Sequence, residues 1–122
     1  MNADAPAMRL HSIMLGVTDV DASVAFYTER LGFALRGRFE AFAFVDAGGT
    51  TIALSGTLAR ARPPVAAPVE IVLAVDRVGD AYNALRARGV VFVGEPRSID
   101  GTNHVANFSD PDGHVLSLYG PP

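Results

Sequence analysis

From His11 to Val17 the residues His11, Ile13, Leu15 and Val17 alternate with Ser12, Met14 and Gly16. Period two puts one set on each side of an extended chain, so the pattern predicts a strand with one strongly apolar face. Thr18 and Asp19 then offer N-cap oxygens. Val20, Val24, Tyr27 and Leu31 follow at i, i+4, i+7 and i+11, the single stripe of an amphipathic helix, with stop signals at Arg30 and Gly32. Three further apolar runs, over residues 33–39, 41–46 and 50–55, are separated by short breaks, of which Ala47, Gly48 and Gly49 make the clearest hairpin turn. The predicted order is β-α-β-β-β.

The same order returns in the second half. Val69, Ile71, Leu73 and Val75 alternate with Glu70, Val72 and Ala74; Val78, Ala81, Tyr82 and Leu85 form a helical stripe that stops at Arg88 and Gly89. Strands are then predicted over residues 90–94, 103–109 and 114–119, the last two joined by Asp110, Pro111, Asp112 and Gly113. Pro presets φ at one corner of that turn, Gly supplies φ > 0, and the aspartates accept from nearby backbone N–H groups. Val17 and Val75, and Val20 and Val78, are 58 positions apart, and Gly49 and Gly113 are 64 apart. Two βαβββ modules are expected, one over residues 9–55 and one over 69–119. Residues 56–68 carry Pro63, Pro64 and Pro68 and read as a connector. Residues 1–8 read as a disordered arm ahead of a single domain over 9–122.

Composition narrows the function classes. The chain has 122 residues, 49% of them hydrophobic, enough for one domain with a sizeable core. No cysteine occurs, which excludes disulfides and a thiol nucleophile. Every basic residue is Arg, so Schiff-base chemistry on a lysine is excluded as well. Ten basic against thirteen acidic residues give a net charge of −3, and no basic field is present to hold nucleic acid. No apolar run approaches the ~18 residues of a membrane span, and no basic segment opens the chain. A cytoplasmic protein with no membrane partner is the expectation. The glycines at 48 and 49 lack any accompanying phosphate-cradle pattern.

Val17, Thr18, Asp19 and Val20, followed by Ser23, Phe26, Tyr27, Leu31, Gly32 and Phe33, form the pattern V-x-D, S-x-x-F-Y, L-G-F, and Asp110, Pro111, Asp112 and Gly113 form a second marker. Over residues 10–119 the chain resembles the vicinal oxygen chelate superfamily, which includes glyoxalase I, extradiol dioxygenases and bleomycin-resistance proteins. The resemblance implies an α+β fold in which two βαβββ modules form a cupped mixed half-barrel with helices outside. Such a fold hosts many chemistries. Because each cup is open along one side and leaves unpaired strand edges, a homodimer is expected, as is common in this family.

Metal-dependent members hold a divalent ion with His, Glu or Gln from the first and last strand of each module. Carried over from the two markers, those positions here are Ser12, Ala53, Glu70 and Ser117. One carboxylate does not make a site, since a stable transition-metal site needs about three His or carboxylate donors. Turning the neighbouring His11 inward would flip Ile13, Leu15 and Val17 with it. His11 and His114 read as exposed polar residues at strand or hairpin ends. His104 has the same reading, or borders the mouth of the cavity. The expected ligand-binding residues are Ser12, Met14, Glu70, Val72, His104, Ser117 and Tyr119, with no metal, no cofactor and no assigned catalytic residue. A charge at Glu70 in an apolar cup needs an answer: Arg36 or Arg38, the Ser12 and Ser117 hydroxyls, water, a cationic or amine-bearing ligand, or a role as general base. Phe42 and Phe44 share a face that either floors the cavity or packs under the first helix. The function expected is metal-free binding of a small aromatic or amine-bearing compound. The alternative is a metal-dependent lyase, isomerase or dioxygenase with an atypical ligand set.

Overall fold

The computed structural model describes residues 6–7, 10–61 and 69–122. In chain order the elements are β1 (Ser12–Gly16), α1 (Val20–Ala25) continued by a π-helical turn (Phe26–Arg30), β2 (Ala34–Phe39), β3 (Phe42–Asp46), β4 (Thr51–Ser55), α2 (Gly56–Ala61), β5 (Glu70–Ala74), α3 (Val78–Ala87), β6 (Arg97–Ser98), β7 (His104–Ser109) and β8 (Val115–Gly120). They make two open four-stranded sheets, ordered β1-β4-β3-β2 and β5-β8-β7-β6. In each sheet the first strand runs parallel to the last and the other pairs are antiparallel. The duplicated α+β architecture expected from the alternation is therefore present.

Each helix covers one face of its own sheet, α1 over β3 and β4, α3 over β7 and β8. The covered faces merge into one core in which Leu15, Val17, Ile52 and Leu54 of the first module join Ile71, Phe108, Leu116 and Leu118 of the second. The π-turn serves this packing. Its wider winding, with Leu31 N donating to Phe26 O at 3.1 Å, accompanies the burial of two adjacent aromatics, Phe26 and Tyr27. Phe26 then meets Phe108 across the modules at 6.4 Å between ring centroids.

The Asp-Pro-Asp-Gly turn does more than close a hairpin. Its two aspartates reach into the other module. Asp112 Oδ1 accepts from the Thr18 backbone N–H at 3.0 Å and from its hydroxyl at 2.7 Å, ahead of the start of α1. Asp110, itself buried, accepts from the Tyr27 hydroxyl at 2.8 Å and from the backbone N–H groups of Asp112 and His114. Burial and the neighbouring Asp110 carboxylate push the Tyr27 phenol above its ordinary value of 10.0. His114, expected to be exposed, is half-buried, with Nε2 2.8 Å from Gly16 O. Asp19 caps α1 as expected, accepting from Ala22 N at 3.0 Å.

Two further expectations are corrected. The connector begins as a helix, α2, because the Ser55 hydroxyl accepts from Leu58 N at 2.9 Å in the manner of an N-cap and the residues that follow favour helix. Its Pro63, Pro64 and Pro68 lie outside the described residues, as does most of the 1–8 arm. Residues 90–94 form no regular strand: one bridge joins Phe92 to Phe108, and Val93 N donates to Asn107 O at 2.8 Å. The sheet edge falls to the two-residue β6, after Gly94, with φ of 81°, and Pro96 have ended that run.

Candidate ligand-binding face

Unbroken register in β5, β7 and β8 fixes which side chains share the helix-free face of the second sheet. Glu70 pairs with Val115, Val72 with Ser117 and Ala74 with Tyr119, while Asn107 pairs with Ser117 from the other side. Ile71, Leu73, Leu116, Leu118, Ala106 and Phe108 take the opposite, helix-covered face. Glu70, Val72, Ser117 and Tyr119 thus lie together, as expected. His104 does not join them. It opens β7 in step with Ala106 and Phe108, which puts it on the helix side of the sheet.

Ser117 is buried, and its hydroxyl donates to Glu70 Oε1. Asn107 Nδ2 lies 2.6 Å from Ser117 Oγ and 3.1 Å from Glu70 Oε1. Both arginines weighed as partners for Glu70 are engaged elsewhere, Arg36 with Asp46 at 3.1 Å and Arg38 with Asp21 at 2.8 Å. The carboxylate is instead held by neutral donors from two adjoining strands. Both contacts end on Oε1, and no hydrogen bond to Oε2 is formed among the described residues. At the far end of the face Asn103 Nδ2 donates to the Tyr119 hydroxyl at 3.0 Å. Asn103 is held in turn by Asp100, which accepts from its backbone N–H at 2.6 Å. Those N–H bonds, with that of Thr102, hold the Asp100 carboxyl below the usual aspartate range.

Ser12 and Met14 occupy the face of the first sheet turned away from α1, where Met14 pairs with Ala53 and α2 packs close against Gly16 at one end. Phe42 and Phe44 belong to this face too, opposite Ser55 and Ala53, so they floor it and do not pack under α1. Phe39 stands edge-on to Phe44 at 5.9 Å. Met14, Phe39 and Val72 are 46%, 63% and 57% exposed, large apolar side chains left open on the faces of the two sheets that α1 and α3 do not cover.

The four positions carried over for a metal hold Ser12, Ala53, Glu70 and Ser117, and no group of three His, Cys, Asp or Glu able to hold an ion is found among the described residues. This donor set does not fit a divalent transition metal. The single carboxylate is hydrogen-bonded to a hydroxyl and an amide, and two of the four positions are neutral alcohols.

Residues 9–118 match the family model of the Glyoxalase/Bleomycin resistance protein/Dioxygenase superfamily. The chain belongs to that superfamily. It is 30% identical over 122 residues to a probable lactoylglutathione lyase of Vibrio cholerae, covering 90% of this chain and 88% of the relative. Among solved structures it is similar to a glyoxalase/bleomycin resistance protein/dioxygenase from Nocardioides, with 25% identity, a TM-score of 0.81 and coverage of 98% and 87% of the two chains. It is also similar to TnmS3, an antibiotic binding protein from Streptomyces sp. CB03234, with 26% identity, a TM-score of 0.79 and coverage of 97% and 99%. The similar proteins thus include one described as an antibiotic binding protein and one described as a probable lyase. No helix among the described residues is long and apolar enough to cross a membrane.

Proposed function

We propose that the protein binds a small aromatic or amine-bearing compound without a metal, the Glu70 face supplying the polar recognition. The observation that carries this reading is the state of Glu70. The one carboxylate at the four metal positions is hydrogen-bonded to Ser117 and Asn107, which fix Oε1 and leave Oε2 to receive a ligand N–H. Apolar neighbours such as Val72 and Val115, with the Tyr119 ring, supply the body of the site. The antibiotic binding protein among the structural relatives supports the same reading.

The same proposal includes a homodimer. Each sheet keeps a face that α1 or α3 does not cover, and the exposed Met14, Phe39 and Val72 lie on those faces; a second copy would bring a first-sheet face of one chain opposite a second-sheet face of the other. Sedimentation at micromolar protein then gives a dimer, and a concentration-independent monomer counts against it.

Calorimetry with a panel of cationic and neutral aromatic compounds tests the ligand class. Glu70 is exposed in the free chain, and a charge-assisted hydrogen bond that the bound ligand itself partly desolvates contributes about 1.5–3 kcal/mol, so Glu70→Gln weakens binding of the cationic compounds roughly ten- to a hundredfold. Equal affinity in the variant removes Glu70 from the site. The lyase description of the Vibrio cholerae relative favours the other reading, a metal-dependent enzyme. Elemental analysis of protein purified without chelator decides between them: a stoichiometric transition metal overturns the metal-free proposal.

A further inference from the structure

The duplication supplies an internal control for a cavity that lies apart from the Glu70 cluster. Where the first module's helix meets the second module's hairpin, the space is filled by Phe26, Tyr27 and Asp110, all buried, with Asp112 closing the start of α1. At 58 positions on, the counterparts of Ser23, Phe26 and Tyr27 are Ala81, Ala84 and Leu85; at 64 positions back, the counterparts of Pro111 and Asp112 are Ala47 and Gly48. Every one of these changes removes bulk or a polar group. Asp46, the counterpart of Asp110, is engaged instead by Arg36 at 3.1 Å and by Gly49 N at 2.7 Å. The result is a cavity of about 510 Å³ between α3, β5 and the Ala47–Gly48 turn, lined also by Val75.

Burial follows the same asymmetry. Leu15, Val17 and Tyr27 are buried, whereas Leu73, Val75 and Leu85, their counterparts, are half-buried. Among the described residues no charged side chain lines the cavity. Its volume falls within the ~300–1,000 Å³ of small-molecule sites. One wall has hydrogen-bonding capacity: Val75 N donates to Tyr119 O at 3.0 Å, so the alternating backbone groups of Val72 and Ala74 turn away from β8, toward the outer edge of β5.

We propose that this cavity is a second ligand site, which takes an uncharged aromatic molecule in the place where the first module keeps its own Phe26 and Tyr27 rings. It is independent of the Glu70 face and of the function proposed for that face.

Indole is the probe, neutral at pH 7 and of one ring system with one N–H. Calorimetry with the full chain gives saturable binding in the millimolar range or tighter, and methyl NMR shifts centre on Ala81, Ala84 and Leu85. Ala84→Phe restores the ring found in the first module; it raises Tm and weakens indole at least about tenfold. Ala81→Leu fills the same space from the next turn of α3 and gives the same loss should the first variant misfold. The proposal falls if indole shifts only the methyls of Met14 and Val115, if both filled variants bind it as the parent does, or if no saturation is reached. It falls equally if filling the cavity dissociates a dimer while indole does not bind, for then a second copy is what covers it.

Discussion

Tyr27→Phe tests how the two modules are held together. The lost hydroxyl is buried and donates to Asp110, which is only 6% exposed, at 2.8 Å. Hydrogen bonds to charged groups contribute about 1.5–3 kcal/mol, and removing one here leaves a buried carboxylate with only its Asp112 and His114 backbone donors. A loss of about 2 kcal/mol is expected, which at about 4 °C per kcal/mol for a chain of this size lowers Tm by about 8 °C. The pH dependence gives a second signature. Because the folded state holds the Tyr27 proton to higher pH than the unfolded chain does, its contribution is complete below the unfolded value of 10.0 and declines as pH rises above it. The stability gap between parent and variant is therefore largest near neutrality and narrows above about pH 10. Urea denaturation of both proteins from pH 7 to pH 11 measures it, and a cycle with Asp110→Asn isolates the pair. A loss under about 0.5 kcal/mol, or a gap that stays constant across the alkaline range, refutes the reasoning.

Asp112→Ala removes the acceptor of both Thr18 hydrogen bonds and is expected to cost about 1–2 kcal/mol, with exchange protection falling first at the start of α1, by hydrogen-exchange NMR. Ser117→Ala takes a donor from Glu70 and leaves Asn107 with one partner fewer; a loss of about 1–2 kcal/mol in urea melts is expected, and none would mean that the cluster does not hold together in solution. The carboxyls of Asp46, held by Gly49 N–H and Arg36, and of Asp100, held by the Asn103 and Thr102 N–H groups, are lowered from 3.8, so their contributions are present above that value and lost as pH falls through the folded values. Carbon-detected titration should find both below an ordinary aspartate, and ordinary midpoints would contradict these contacts.

The fold was legible because period-two strands, capped helices and glycine turns recur in one order, and each signal depends on residues close in sequence. Boundaries moved by a residue or so where a strand end is set by its partner. Helix α2 was missed because the proline run in the same connector outweighed Ser55 as a cap. Glu70, Val72, Ser117 and Tyr119 share the face that marker spacing and parity gave them, and Asn107, which joins them there, was not named. Its place depends on the length of the connection: five residues, 110–114, set Ser109 opposite Val115, and two residues further from the turn on each strand Asn107 faces Ser117, whereas a strand begun at 114 gives the wrong partner. His104 was misplaced because its parity within β7 was not carried through. The roles of Asp110 and Asp112 had no local trace. Turn chemistry already accounted for both residues, and only tertiary structure shows that their partners lie 83 and 94 positions away.

That separation bears on how the protein is made. As the chain leaves the ribosome, the first module is complete some fifty residues before the Asp110–Gly113 turn exists. Until then Thr18 lacks the acceptor for its N–H and hydroxyl, and Tyr27 has no carboxylate to bury its hydroxyl against. The leading half therefore waits for the trailing one, and closure of the last hairpin is the event that locks both. A chain stopped before Asp110 is accordingly no half-protein with half the stability, but an unlatched nascent chain of the kind that chaperones and proteases meet first.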